Sequence, residues 1–257
     1  MKKIIKLPAP QLSQLGEVNI DLDMTGRHYA ALCTSEGQIP EDVALGILKD
    51  LIEEDANKLT LSELRYLFML VKIHALEDNY TVDVACTHVN KKGKICGHKN
   101  TIQVRLSDAD LNRPPHNYKI PEINFIYENT QKTYKILPPC MDMESALLNN
   151  FVVERGIPVD KINNDKDISY EFTFIRSVMH LVDKEGKRLI NSVEQFADWK
   201  KYNDDNSFKT IKDLYSKCNE VDGFGVQQNH IYRFDCKECG GHLMFTLPLL
   251  HGLVDEE

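Results

Sequence analysis

Four of the seven cysteines form two pairs, and each pair lies between two stretches with the alternating pattern of β-strands. Cys236 and Cys239 form a C-x-x-C motif that continues into Gly240-Gly241. Cys86 ends one alternating stretch, and Cys96-Gly97 begins the next. A hairpin closes on itself whatever the length of its tip, so each pair can aim two thiolates in the same direction. Because a structural zinc ion takes four ligands in a tetrahedron, two such pairs complete one site.

The pattern therefore predicts one structural zinc ion, held in a zinc ribbon by two strand–cysteine–strand hairpins. Four thiolates leave no open position for water, and we expect no chemistry at the metal. His88 and His98 are rival ligands, because each lies close to a cysteine of the first pair. A redox pair and a set of unrelated buried cysteines are the alternatives. The C-x-x-C motif does not open a helix after a strand, as a thioredoxin-like redox pair does.

The other three cysteines, Cys33, Cys140 and Cys218, have apolar or helical neighbours and are expected to be small buried side chains. Near the start of the chain, Lys6, Pro8 and Pro10 interrupt the apolar stretch that a secretory signal would need. We therefore expect a reducing compartment, where structural disulfides are rare. The sequence contains no run of about 18 apolar residues, so it predicts no membrane-spanning helix.

Charge and motifs restrict the classes of function. Lys plus Arg number 31 and Asp plus Glu number 39, so the formal net charge is −8. Proteins that wrap nucleic acid usually carry a basic excess, so bulk nucleic-acid binding is disfavoured. The sequence contains no P-loop, GxGxxG or HExxH motif, and its spacing identifies no nucleophile–base set. We predict a protein that is not an enzyme and has no small-molecule substrate.

Hydrophobic periodicity predicts an α+β fold, in which a zinc-ribbon β-hairpin module carries a helical insertion and N-terminal helices. One helix is expected from about Pro40 to Glu54, and a second begins at Thr60, which has capping-box spacing to Glu63. A further β-hairpin is expected around residues 123–137. We expect five segments: an extended N-terminal arm (1–38), a helical pair (39–79), the first zinc-ribbon hairpin (80–106), a β-hairpin with the helical insertion (107–229), and the second zinc-ribbon hairpin with the C-terminus (230–257).

The N-terminal arm is the segment predicted to bind a partner. It carries apolar residues between prolines, with little local means of burying them, and exposed apolar segments mark interaction sites. The alternative is that the arm docks on its own domain. Its apolar residues are Ile4, Ile5, Leu7, Leu12 and Leu15.

Several short motifs follow one another along the chain. They are Leu7-Pro8, Leu61-Ser-Glu-Leu-Arg-Tyr-Leu-Phe-Met-Leu-Val-Lys-Ile73, Val84-Ala-Cys86, Cys96-Gly-His-Lys-Asn-Thr-Ile-Gln-Val-Arg-Leu106, Ile136-Leu-Pro-Pro139 and Tyr232-Arg-Phe-Asp-Cys236-Lys-Glu-Cys239-Gly240. The ordered set covers most of the chain and resembles the baseplate hub subunit and hub-assembly proteins of contractile-tailed, T-even-like bacteriophages. The resemblance implies a virion or virion-assembly protein that binds other hub or tail proteins. It would lie in the tail baseplate, or in the host cytoplasm during assembly.

A second function from another class stays open at this point. A zinc ribbon can also belong to a nucleic-acid-binding accessory protein, although the negative net charge argues against it. An electrophoretic shift assay with a salt titration distinguishes the two, because phosphate contacts make binding strongly salt-dependent.

Overall fold

The computed structural model describes residues 2–33, 41–76, 78, 80–89, 92–109, 111–226 and 229–248. Helices and short antiparallel sheets alternate along the chain, in agreement with the predicted α+β class. The helices are α1 (Gly26–Cys33), α2 (Glu41–Leu51), α3 (Leu61–Leu76), α4 (Met141–Asn149), α5 (Val159–Asn164), α6 (Lys166–Met179), α7 (Trp199–Asp204) and α8 (Phe208–Asp222). The strands are β1 (Lys2–Lys6), β2 (Glu17–Asp21), β3 (Tyr80–Ala85), β4 (Lys99–Val104), β5 (Leu111–Asn112), β6 (Glu122–Tyr127), β7 (Thr130–Ile136), β8 (Leu181–Val182), β9 (Gly225–Val226), β10 (Asn229–Asp235) and β11 (His242–Pro248).

The N-terminal segment folds back on its own domain. β1 and β2 pair as an antiparallel hairpin along their full lengths, and α1 follows. Leu7 is fully buried in the core formed with α2 and α3, and Leu12 joins the core of the central helices. Within the described residues, Leu7 and Leu12 therefore follow the alternative, in which the arm docks on its own domain, whereas Ile4 is 66% exposed. Partner binding by this segment stays a prediction, and residues 34–38 lie outside the described residues. The segment boundaries themselves stay predictions.

α3 is the helix shared by two cores. Its start is the predicted capping box: the Thr60 N–H donates to Glu63 Oε2 at 2.8 Å, and the Glu63 N–H donates to Thr60 Oγ1 at 3.3 Å. Leu67 and Phe68 are fully buried against α2, whereas Met69 packs with β4 and the two cysteine hairpins. The expected start of α2 at Pro40 lies outside the described residues.

The central part of the chain builds a separate core around a three-stranded sheet, β6-β7-β8. The predicted hairpin is confirmed, with a turn at Glu128 and Asn129, which have φ of 51° and 59°. Positive φ at both central residues matches the right-handed twist of the flanking strands. Asn206 covers the outer edge of β6, since its Oδ1 accepts from the Ile126 N–H at 2.9 Å and its Nδ2 donates to the Ile126 carbonyl at 3.0 Å. α4, α6 and α8 pack against this sheet.

A charged network around the buried His180 joins the three central helices α4, α6 and α8. His180 is fully buried, and its Nε2 lies 3.0 Å from Asp222 Oδ1. Arg176 bonds to Asp222 at 2.6 Å and to Glu144 at 2.8 Å. Burial alone would lower the pKa of His180, but the charge and hydrogen bond of Asp222 outweigh burial and raise that pKa to about 10. The imidazole is therefore held as a cation between α6 and α8.

Within the part of the chain that the structure describes, no helix is long and apolar enough to cross a membrane.

The buried N-terminal hairpin can be tested with two substitutions. Leu7 is 0% exposed and Ile4 is 66% exposed. We expect Leu7→Ala to lower the free energy of unfolding by about 2–5 kcal/mol, because it leaves a cavity in the core. Ile4→Ala should stay within about 0.5 kcal/mol of wild type. Urea unfolding followed by circular dichroism measures both, and equal effects would contradict the assignment of Leu7 to the core.

The charged network should make stability depend on pH. The pKa of His180 rises from its ordinary value of 6.5 to about 10, so its contribution is complete below pH 6.5 and is lost as the pH rises towards 10. The pKa of Asp222 falls from 3.8 to about 2, despite its burial, because His180 and Arg176 stabilise the carboxylate. Its contribution is complete above pH 3.8 and is lost as the pH falls towards 2.

We expect Asp222→Asn to abolish the fall of unfolding free energy with rising pH in the alkaline window. The matched control is Asp213→Asn on the same helix, whose carboxylate is 49% exposed and pairs with Lys217. That variant should keep the wild-type slope. Urea unfolding across the pH series tests the prediction, and an unchanged slope in Asp222→Asn would remove the His180 pair as its cause.

Candidate metal centre

The first cysteine hairpin is built by β3 and β4, which pair from Tyr80 opposite Val104 to Ala85 opposite Lys99. At its tip, the Cys86 N–H donates to the His98 carbonyl at 2.8 Å and the Gly97 N–H to the Cys86 carbonyl at 3.0 Å. The long loop between the two cysteines also turns back on itself. The Cys96 N–H donates to the His88 carbonyl at 2.9 Å, which brings both cysteines to the same end of the hairpin.

The second cysteine hairpin is built by β10 and β11. The Cys236 N–H donates to the Gly241 carbonyl at 2.9 Å, and the Gly240 N–H donates to the Cys236 carbonyl at 2.8 Å. Gly240 has φ of +66°, a conformation that glycine adopts without steric cost. The resulting turn aims the sulfurs of Cys236 and Cys239 in one direction.

The two hairpins pack through their apolar faces. Val82 and Ile102 of the first lie in one cluster with Tyr232 and Phe245 of the second. The rings of Tyr232 and Phe245 stack with centroids 5.2 Å apart. The Tyr232 hydroxyl donates to the Arg105 carbonyl at 3.1 Å. This packing aligns the two tips.

All four predicted cysteines meet at the aligned tips. Their sulfurs lie within 4.8 Å of one another. Cys86 Sγ is 3.6 Å from Cys239 Sγ, and Cys96 Sγ is 4.0 Å from Cys236 Sγ. A tetrahedron with zinc–sulfur bonds of about 2.3 Å has sulfur–sulfur edges of about 3.8 Å. The donor set and its spacing therefore fit a zinc ion.

The two histidines near the first pair have different positions. His88 Nδ1 lies 3.8 Å from Cys239 Sγ, beside the group of four sulfurs. The backbone carbonyl of His98 accepts hydrogen bonds from Cys86 and Asn100. The four cysteines thus supply a full set of ligands without either ring.

The sulfurs differ in their electrostatic surroundings. Burial raises the pKa of the Cys86 thiol to about 12. Burial also acts to raise the pKa of Cys236, but the N–H groups of Cys239 and Glu238 and the amide of Asn100 outweigh it and lower that pKa to about 6. Because metal ligands must be deprotonated, the second hairpin offers the more readily ionised sulfur.

The sequence analysis missed the role of Asn100 and the contact of Gly241 with the first hairpin. Asn100 is 1% exposed, and its side chain lies between the two hairpins. Gly241 lies against His88, where an added Cβ would come within 2.6 Å of His88 Cγ. The available signals were a polar residue at an inward position of an alternating strand and the second glycine after the C-x-x-C motif. Neither signal identifies its contact in the other hairpin.

Of the three cysteines expected to be separate from the site, two are described with their side chains. Cys140 and Cys218 are buried, as predicted. The side chain of Cys33 lies outside the part of the structure that is described.

Comparison with known families places the chain in a class of bacteriophage tail proteins. The family model described as T4 bacteriophage base plate protein matches residues 22–255, and the chain belongs to this family. The match includes both cysteine hairpins and the helices between them, and it confirms the resemblance at the level of the baseplate. Searches of curated proteins and of solved structures returned no significant match.

The contact between Gly241 and His88 gives a test of hairpin packing. We expect Gly241→Ala to lower the free energy of unfolding by about 1–3 kcal/mol, because the new methyl group overlaps the His88 side chain. Gly46→Ala in α2 is the control, since nothing lies within 4 Å of the added Cβ. It should raise stability by about 0.5–1 kcal/mol through its helix propensity.

Urea unfolding measures both glycine variants. Amide hydrogen exchange adds a local measurement, because displacement of His88 should expose the Cys96 N–H that donates to its carbonyl. Wild-type stability and wild-type protection of Cys96 in Gly241→Ala would show that the hairpins do not pack in this way.

Proposed function

We propose that this chain is a non-enzymatic structural or assembly component of the phage baseplate hub. It acts by binding other hub or tail proteins, in the virion tail or in the host cytoplasm during assembly. One structural zinc ion at Cys86, Cys96, Cys236 and Cys239 holds its fold. The observation that carries the proposal is the baseplate family match over residues 22–255.

The proposed zinc site is supported by the type of ligand, four thiolates, and by the topology of the two hairpins. Four thiolates at tetrahedral spacing suit zinc, and a fully occupied tetrahedron is typical of structural sites. The two hairpins are then the halves of one zinc ribbon. The ion would join segments separated by about 140 residues. A link that closes so long a loop restricts the unfolded chain more than a link within one hairpin.

The proposal that the chain is not an enzyme is supported by the burial of two potentially reactive side chains. His180 is the histidine with a carboxylate partner in the central core, and Cys218 lies near it. His180 is 0% exposed and Cys218 is 2% exposed, so neither meets a substrate from solvent. Their hydrogen bonds instead tie α6 to α8, which is a structural role.

Protein binding as the mode of action is supported by the baseplate family match, because a baseplate is assembled from several proteins. The net charge of −8 favours protein partners over nucleic acid.

Metal analysis tests the zinc site directly. We expect about one zinc per chain in protein purified under reducing conditions without chelator. Cys239→Ser should lose the metal and lower the free energy of unfolding, because metal binding and folding are coupled. Amide protection should fall in both hairpins, since the ion joins them.

The matched control for this substitution is Cys140→Ser. Cys140 is buried and is the N-cap residue of α4, where its side chain makes no capping hydrogen bond. Serine is a preferred N-cap residue, so this variant should keep its zinc and most of its stability. Wild-type protein with far less than one zinc would refute the metal site. Loss of protection confined to β10 and β11 in Cys239→Ser would refute the long-range link.

The hub role requires an experiment in infected cells. We expect an affinity-tagged chain to co-purify with other baseplate hub or tail proteins. Mass spectrometry of purified virions and of baseplate intermediates then shows whether the chain stays in the particle or leaves after assembly. Co-purification with nucleic acid alone, with a salt-dependent electrophoretic shift, would instead support the accessory-protein alternative.

A further inference from the structure

We infer that Asn100 is a positioning residue for the metal centre, which holds the second cysteine hairpin in register with the first and hydrogen-bonds one of its ligand sulfurs. The inference rests on the proposed zinc site. It assigns a specific role to a side chain that is neither a ligand nor part of the packed apolar faces.

The contacts of Asn100 span both hairpins. Its Nδ2 donates to Cys236 Sγ at 3.5 Å and to the His98 carbonyl at 3.1 Å, with a longer contact of 3.4 Å to the Val84 carbonyl. Its Oδ1 accepts from the Lys237 N–H at 3.0 Å. One side chain on β4 therefore reaches the backbone of its own hairpin and both the sulfur and the backbone of the opposite C-x-x-C turn.

These partners fix the orientation of the amide. The Lys237 N–H can only donate, so it must face the oxygen. The two carbonyls can only accept, so they must face the nitrogen. With the oxygen directed at Lys237, the nitrogen necessarily points to Cys236 Sγ, where its N–H can stabilise the thiolate form of the sulfur.

No other common side chain of this size meets both requirements. Aspartate offers only acceptors when ionised, and it would place a negative charge against sulfurs that already carry negative charge as ligands. Leucine offers neither donor nor acceptor. Asn100 is 1% exposed and so is shielded from bulk water, and each lost hydrogen bond would leave a buried polar group without its protein partner.

The second sulfur of the same turn has a comparable neighbour. His88, also from the first hairpin, places Nδ1 3.8 Å from Cys239 Sγ. Each sulfur of the C-x-x-C turn thus faces a polar side chain of the opposite hairpin. Outer hydrogen bonds of this kind orient ligands, and their removal typically lowers metal affinity by about 10–100-fold.

The test compares Asn100→Asp with Asn206→Asp in the full chain. Asn206 is also a buried asparagine that bridges a strand edge, but its partners are Ile126 and Tyr202 in the central core. Zinc affinity is measured by competition with a chelator of known affinity. Cobalt(II) substitution gives a second readout, because sulfur-to-cobalt charge-transfer bands respond to hydrogen bonding at the thiolates.

We expect Asn100→Asp to bind zinc about 10–100-fold more weakly and to shift the cobalt charge-transfer bands. Asn206→Asp should lower the melting temperature but leave the zinc affinity and the cobalt spectrum unchanged. If Asn100→Asp does not accumulate as soluble protein, Asn100→Ser replaces it, since its short hydroxyl cannot reach both partners. The same affinity loss and spectral shift are expected.

The outcomes separate this inference from the proposed zinc site. Wild-type protein that binds no zinc overturns both. Wild-type protein with one zinc, together with wild-type affinity and spectrum in the Asn100 variants, overturns the role of Asn100 alone. An equal loss of zinc affinity in Asn206→Asp would also overturn it, because the effect would then follow from general destabilisation.

Discussion

The face-to-face packing of the two cysteine hairpins is the contact on which the rest of the structure depends. β3 and β4 precede the central helices, and β10 and β11 follow them, so this contact brings together both ends of the intervening chain. The register in which the apolar faces meet places the four sulfurs within 4.8 Å of one another. A metal ion at this point would strengthen a junction that the apolar packing already defines. The long loop then closes without requiring any continuous sheet between the hairpins, which remain two separate two-stranded sheets.

α3 connects the two cysteine hairpins to the rest of the protein through its packing. One side of the helix packs with α2 and the N-terminal hairpin, and Met69 on another side packs with the cysteine hairpins. The central core forms around the sheet β6-β7-β8, and beside it the fully buried His180 pairs with Asp222. A buried ion pair is weak evidence for high stability, because desolvation offsets much of the attraction. The pair nevertheless restricts how α6 meets α8, since removing Asp222 would leave the buried His180 without its carboxylate partner.

This architecture is compatible with the proposed structural or assembly role. A closed four-thiolate site would leave no open position for a substrate, and the buried histidine and cysteine of the central core are committed to packing. The family match over residues 22–255 shows a baseplate protein, with which this role is consistent. Around the four sulfurs, Asn100 and His88 of the first hairpin reach across the interface to Cys236 and Cys239 of the second.

The sequence by itself determined the features that depend on neighbouring residues. The capping box at Thr60, the hairpin turn near Glu128 and the two strand-flanked cysteine pairs follow from spacing over a few residues, and the structure has all of them. Tertiary structure alone decided whether the N-terminal leucines are exposed, which asparagine reaches Cys236, and that His180 faces Asp222. Local periodicity indicates which face of a helix or strand is apolar, but it does not indicate which other segment packs against that face. The burial of Leu7 and the partners of Asn100 depend on segments distant in sequence, whose positions are fixed only when the chain packs.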